Sequence, residues 1–272
     1  MKQIRNAAVL VSGILAVTSA QASSDFLSDG KQSNDVSGVV GIGIGALPEY
    51  DGSEDYQAIP FILGRVAYDK RYVEFIGTTL RGNVLNDSNW QFGPAANFRF
   101  GRDEDVENAV ISRMSEVDDA FELGAFARYD YSPNWARGDS LGIETQFLQD
   151  VSDGHEGFEL TMQVDYNRPI TDKLRMGVDI STAYASDDYM ESYFGVNAQN
   201  VGTSGLAAYD AEAGFKDIEI GWNTQYALNE RWGVYSRLSY TQLIGDASDS
   251  PIVEDQGDDG QVLVGAGVSY RF

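Results

Sequence analysis

Apolar and polar positions alternate with a period of two along most of this chain. The pattern is plainest from Gly260 to Phe272, which reads GQVLVGAGVSYRF. Val262, Val264, Ala266, Val268, Tyr270 and Phe272 form one apolar set, with Gln261, Gly265, Gly267, Ser269 and Arg271 between them. Successive side chains of a strand point to opposite faces, so this is a β-strand with one greasy face and one wet face.

The same alternation recurs upstream. Val40, Ile42, Ile44 and Ala46 oppose Gly41, Gly43 and Gly45. No helical pattern follows these glycines, and Pro48-Glu49-Tyr50-Asp51-Gly52 reads as a turn. They are therefore room for close packing inside a small barrel, not a dinucleotide loop. Tyr56 to Tyr68 and Arg71 to Leu80 make two runs joined by a tight hairpin at Asp69-Lys70. Trp90 to Phe100 follows, and then a break, Gly101 to Asp119, an acidic segment with room for a helical turn that reads as a long external loop. Six clear strands come next, with outward sets led by Phe121, Leu141, Phe158, Leu174, Ile218 and Trp232. Aromatics gather at strand ends (Tyr166, Tyr184, Trp222, Tyr226, Trp232, Tyr240, Tyr270, Phe272), as an interfacial girdle requires. The polar sets hold charges of both signs: Arg99, Glu122, Arg128, Glu144, Asp165, Arg175, Asp179, Glu219, Arg237 and Arg271. A packed soluble core seldom accepts that.

The start of the chain changes what this alternation means. Lys2 and Arg5 precede an almost unbroken apolar run from Ala7 to Ala20, then Ala20-Gln21-Ala22. This is the form of a secretory signal peptide, too short to span a membrane as a helix, with cleavage expected between Ala22 and Ser23. No Cys follows the site, so lipoprotein anchoring is excluded. An exported chain of half-greasy strands is expected to be an all-β, antiparallel transmembrane β-barrel in the outer membrane of a Gram-negative bacterium. Its partners there are membrane lipid and lipopolysaccharide. The terminal strand, with Tyr270 and the final Phe272, resembles the assembly signal of such barrels. The expected division is a signal peptide at 1–22, a mobile periplasmic lead-in at 23–35 and the barrel at 36–272. About eleven strands can be counted, and single-chain bacterial barrels have even numbers. The estimate is 12, with 10 as the alternative. The missing strand is sought first as a short hairpin in Asp187 to Phe215, and otherwise in Tyr56 to Leu85.

Composition narrows the chemistry. Cleavage would leave 17 basic against 42 acidic residues, which disfavours nucleic acid and anionic lipid surfaces. No Cys and a single His remove thiolate and most imidazole metal sites, and no cofactor motif is present. The mean hydropathy of −0.29 does not argue against a membrane barrel, because only alternate residues meet lipid.

The irregular segments carry a further signal. Tyr50-Asp51-Gly52-Ser53, Gly101-Arg102, Tyr189 to Val196 (with Tyr193, Phe194 and Gly195), Ser204-Gly205-Leu206 with Tyr209, and Gly245 to Val253 (with Asp246, Asp249, Ser250 and Pro251) occur in that order. They resemble the signature blocks of the MipA/OmpV family across essentially the whole exported chain, with Ala207 standing where a Pro is expected. The resemblance implies an outer-membrane scaffold that brings a murein lytic transglycosylase and a murein synthase together at the periplasmic face. Other family members are described as adhesins or porin-like proteins. It supplies no catalytic residues.

Three features remain as candidate chemistry. His155, in Ser152-Asp153-Gly154-His155-Glu156-Gly157, invites a Ser-His-Asp reading, but nothing selects a Ser, and the expectation is a solvated turn His. The acidic stretch Asp246 to Asp259 offers oxygen ligands for Ca²⁺ or for ions bridging to lipopolysaccharide, yet lacks the EF-hand pattern; it is expected to be a hydrated, mobile surface loop. The inward charges are expected to crosslink a narrow barrel, with a cation-preferring water path as the alternative. The reading is thus a non-enzymatic scaffold, with a small cation-preferring channel or an adhesin acting through acidic loops as alternatives. The three long loops fall at one end, the outer one. Only short turns and the lead-in are then left for a periplasmic partner.

Overall fold

The computed structural model describes residues 36–133 and 135–272. The expected signal peptide, its cleavage site at Ala22 and Ser23, and the lead-in at 23–35 lie outside the described residues. Twelve strands form the wall: β1 (Val36–Pro48), β2 (Tyr56–Tyr68), β3 (Arg71–Ile76), β4 (Thr79–Asn83), β5 (Trp90–Arg99), β6 (Ala120–Tyr131), β7 (Ser140–Asp150), β8 (Phe158–Pro169), β9 (Leu174–Ala185), β10 (Gly214–Ala227), β11 (Trp232–Leu243) and β12 (Gly260–Arg271). Each pairs antiparallel with its neighbours in the chain, and β12 pairs back onto β1 to close a barrel. Closure leaves no strand edge unpaired, which a lipid environment demands.

The alternation determines which face is which. Ile42, Ile62, Ile220 and Val264 stand exposed on the outer wall, while Arg81, Glu122, Arg128 and Glu144 are buried inside. This reverses the distribution of a water-soluble protein, and becomes favourable only where the outer surface meets hydrocarbon. Tyr226, Trp232 and Phe272 stand exposed at one end of the wall and Tyr240 toward the other.

The strand missing from the pattern reading lies in its second choice of place. Arg71 to Leu80 is not one run but β3 and β4, folded about Gly77-Thr78 with Gly77 at φ +60°. A two-residue turn switches the outward set from Val73 and Phe75 to Leu80. That change of parity blurred the alternation. The first choice of place holds no hairpin. Instead it folds as two helices, α1 (Asp187–Phe194) and α2 (Ala198–Ser204). Ser186 caps α1 by accepting from the Tyr189 N–H, Asn197 caps α2, and Gly205 ends α2 at φ +83°.

The connections at 100–119, 186–213 and 244–259 all emerge at one end, with the shorter ones at 49–55, 77–78 and 151–157. The opposite end has only the connections at 69–70, 84–89, 132–139, 170–173 and 228–231, beside the start of β1 and the end of β12. Outer-membrane barrels keep short turns on the periplasmic side, so the long connections face outward.

Candidate functional site

The lumen is crossed by buried ion pairs, several of which span intervening strands. On one wall Arg128 of β6 reaches over β7 and forks onto Asp165 of β8, Nη1 to Oδ1 at 2.6 Å and Nη2 to Oδ2 at 3.1 Å. Its Nε donates to Asp130 at 2.8 Å. The intervening residue is Gly142, where a Cβ would lie 2.1 Å from Arg128 Nη2. The adjoining stretch of wall repeats the device. Arg237 of β11 forks onto Asp179 of β9 at 2.9 and 3.0 Å, with a third bond to Glu219 at 2.6 Å, and Gly221 leaves the room beneath. Arg81 of β4 bonds Glu74 beside it and reaches Glu144 of β7 at 2.5 Å, past β5 and β6. Such bidentate, charge-assisted bonds are directional and tie strands whose backbones never touch. The expected crosslinking network is present, and inward glycines make room for it.

Toward the outer end the lumen is sealed by the loops. Arg99 Nε donates to Glu122 at 2.8 Å, and His155 Nε2 lies 3.0 Å from the same carboxylate oxygen. The His155 ring packs against Tyr189 and Tyr193 with centroids at 5.0 and 5.7 Å. His155 is therefore not the solvated turn residue expected from sequence; it is 2% exposed. The cause is local. Asp150 Oδ1 and Oδ2 accept from the N–H groups of Ser152, His155 and Glu156, curling the β7–β8 turn inward, with Asp153 and Glu156 at φ +63° and +56°. A bulge in the β9–β10 ladder between Phe215 and Asp217 aims Lys216 and Asp217 both inward. Lys216 Nζ lies 2.8 Å from Asp217 and 3.5 Å from both Asp51 and Glu159, joining the β1–β2 connection to the wall.

Above this layer the loops pack on one another. Tyr50, Ile111, Met114, Val196, Leu206 and Ile252, from four separate connections, form one buried cluster. A second joins Tyr189, Met190, Tyr193 and Phe194 to Leu243, Ala247 and Val253. The 100–119 connection contains the expected helical turn, a 3₁₀ turn at Ile111–Arg113. The acidic stretch is not the hydrated loop expected. It forms a 3₁₀ turn at Gly245–Ala247 and a short helix, α3 (Pro251–Glu254), with Pro251, Ile252 and Val253 buried. Ser250 does double duty, donating to the Phe194 carbonyl at 2.6 Å and accepting from the Ile252 N–H at 3.2 Å. Among the described residues no group of three or more His, Cys, Asp or Glu is placed to share a metal ion.

The residues singled out from the sequence meet in this plug. Tyr50 lies beside the Arg102 guanidinium, and Arg102 donates to the Tyr193 carbonyl at 3.2 Å. Gly52, at φ +94°, lies where a Cβ would strike Val253, and its carbonyl accepts from Asp258. Ser53 is buried and its Oγ accepts from the Asp55 N–H. Val196, after Gly195, pairs with Tyr209, whose hydroxyl donates to the Asp246 carbonyl at 3.1 Å. Ser204 closes α2 on Asn200, and Leu206 lies in the shared cluster. Gly245 turns at φ +57°, and Asp249 stays exposed at the edge. Burial pushes the Tyr50 phenol up to about 12 and the Tyr189 and Tyr193 phenols further, and draws the Arg102 guanidinium down from its usual range. Missing from the sequence reading were Arg81 and Lys216. Arg81 sits in the strand whose parity was blurred, and Lys216 faces inward only because of the bulge.

At the opposite mouth Phe272 completes the closing seam. Its N–H donates to the Gly38 carbonyl at 2.9 Å, Gly38 returns a bond at 3.1 Å, and the Phe272 ring covers the space a Gly38 side chain would take. The rings of Tyr270 and Trp232 pack at 5.0 Å.

A family model described as MltA-interacting protein MipA matches residues 40–272. The chain is 32% identical over 203 residues to outer membrane protein Omp26La of Vibrio anguillarum, covering 73% of this chain and 69% of that one. It is 30% identical over 199 residues to outer membrane protein OmpV of Vibrio cholerae serotype O1, with the same coverage. The MltA-interacting protein of Escherichia coli K12 is 26% identical over 130 residues, 48% of this chain and 50% of that one.

Proposed function

The chain is an outer-membrane β-barrel belonging to the MltA-interacting protein MipA family, and from that premise we propose that it acts as a non-enzymatic docking scaffold. Its partner is a periplasmic murein lytic transglycosylase, brought together with a murein synthase. The observation that carries this reading is the occluded lumen. Arg81, Arg128 and Arg237 are each locked inside the barrel to carboxylates two or three strands away, and four connections pack into a plug above them. A barrel so crosslinked is rigid, and offers its partner a fixed rim. The names of relatives supply the partner class. Lipid and lipopolysaccharide surround the apolar wall.

A narrow cation-preferring channel is the second reading. It is favoured by Gln146 and Gln163, whose inward amides are buried without a protein partner among the described residues. Polar groups so placed are ordinarily satisfied by water.

Single-channel recording of the folded, heat-modifiable protein in a planar bilayer separates the two. The scaffold reading expects no discrete steps, together with capture of a murein transglycosylase from solubilised envelope. Cation-selective steps across a salt gradient would overturn it.

A further inference from the structure

The periplasmic mouth differs in one respect from the rest of the interior. Elsewhere on the barrel wall Arg81, Arg99, Arg128 and Arg237 each hold a carboxylate. At the mouth, a cavity of about 180 Å³ opens between the 170–173 turn, the 228–231 turn and the end of β12. It is lined by Lys173, Arg175, Arg231 and Arg271, with a single carboxylate, Asp172. Among the described residues the side chains of Lys173, Arg175 and Arg271 make no ion pair or hydrogen bond, and the Arg231 guanidinium reaches only the Tyr270 hydroxyl, at 3.3 Å. Gln225 lines the same cavity, and its Nε2 is buried with no acceptor. A buried donor without an acceptor is costly, and four cations left unpaired in a chain of net charge −23 are a departure from its composition.

We propose that this mouth is an oxyanion-binding cleft that takes the side-chain carboxylates of an acidic segment of a periplasmic protein. This inference rests on the scaffold reading and names the chemistry by which that partner docks. Two features select the occupant. The charged groups of the lining are donors with the exception of Asp172, which is what a carboxylate requires. The volume admits one or two carboxylate side chains and not a folded surface, so the recognised element is an extended segment. Arg175 and Arg271, half-buried on the inner face, hold the carboxylate. Lys173 and Arg231, exposed on the turns, guide it in.

The test uses the full folded protein in zwitterionic detergent and a fluorescein-labelled hexapeptide of alternating Asp and Glu, read by anisotropy. Its Asn/Gln counterpart and a purified disaccharide-tetrapeptide from murein serve as competitors. Expected are charge-dependent binding that weakens with salt, a loss of about tenfold or more in R175Q/R271Q, and a smaller loss in K173Q/R231Q, whose exposed positions leave folding untouched. Equal binding of the neutral peptide, or acidic-peptide binding unchanged in both variants, would overturn the site. Stronger competition by the murein fragment would overturn the choice of a protein segment. Envelope capture separates this inference from its premise. If parent and R175Q/R271Q retain a murein transglycosylase equally, the cleft is not the dock and the scaffold stands. If the parent retains none, the scaffold reading falls and the assignment of the segment to a docked enzyme falls with it.

Discussion

Replacing Arg128 with Met removes one guanidinium and asks how dry the lumen is. Arg128 is 1% exposed and its fork holds Asp165, itself 2% exposed. After the substitution Asp165 loses the guanidinium that neutralises it, while the Asn167 amide still donates to it at 3.1 Å. Breaking a buried pair by removing one partner costs about 3–5 kcal/mol, because the remaining charge is left desolvated. The same pair in a water-filled bore would be worth about 0–1 kcal/mol. At ~1.4 kcal/mol per decade, the first case lowers the folded-to-unfolded ratio by more than about a hundredfold. Reversible urea unfolding in lipid vesicles, followed by tryptophan fluorescence, reads the difference. R128M is expected to lose stability on the larger scale, and R128M/D165N to recover most of it, since the second change removes the stranded charge. A loss in R128M of less than about 1 kcal/mol would refute the reasoning. The crosslinks would then be hydrated, and the occluded-lumen argument would fail with them.

Gly142→Ala tests the same fork from the strand between, because its Cβ would lie 2.1 Å from Arg128 Nη2 and 2.6 Å from Asp165 Oδ1. It should destabilise by about 1–3 kcal/mol in the same unfolding assay. Gly38→Val puts a side chain where the Phe272 ring lies, 2.3 Å from Cζ. If Tyr270 and Phe272 form the assembly signal, this variant and Phe272→Ala should both slow the appearance of the heat-modifiable band, and parental rates in both would remove that role. Ser250→Ala takes away the α3 cap and the bond to the Phe194 carbonyl, a cost of about 1–2 kcal/mol that should show as new protease cleavage within 244–259. Burial raises the Tyr50 phenol to about 12, so the folded state keeps a proton that the unfolded state releases near pH ~10. Stability should therefore fall as pH rises from about 10 to about 12, and Tyr50→Phe should lessen that fall in alkaline unfolding curves.

The order and facing of the strands were legible because alternation is local: a period of two is written into any eight consecutive residues, whatever they later pair with. So were the Asp69-Lys70 hairpin and the presence of mixed charge on the inner face. The β3–β4 turn escaped because Gly77-Thr78 reverses the parity of the pattern without interrupting its apolar content. His155 was misplaced for a different reason. Its local sequence is that of any polar turn, and only Asp150, together with the ring faces of Tyr189 and Tyr193, sets it inward. The acidic stretch after Gly245 was likewise read by its charge, whereas its fate is decided by Pro251, Ile252 and Val253, whose burial needs loops from other parts of the chain.

By itself, then, the sequence determined a strand-built outer-membrane wall, its greasy and wet faces, and the family blocks in their order. Tertiary structure alone decided that those blocks meet in one plug, that Arg81 finds Glu144 across two strands, and that the arginines at the periplasmic mouth find no carboxylate. The reason is physical. Facing follows from backbone geometry within a single strand, but which charge meets which depends on how twelve strands close and how far each is staggered against the next, a property of the whole ring.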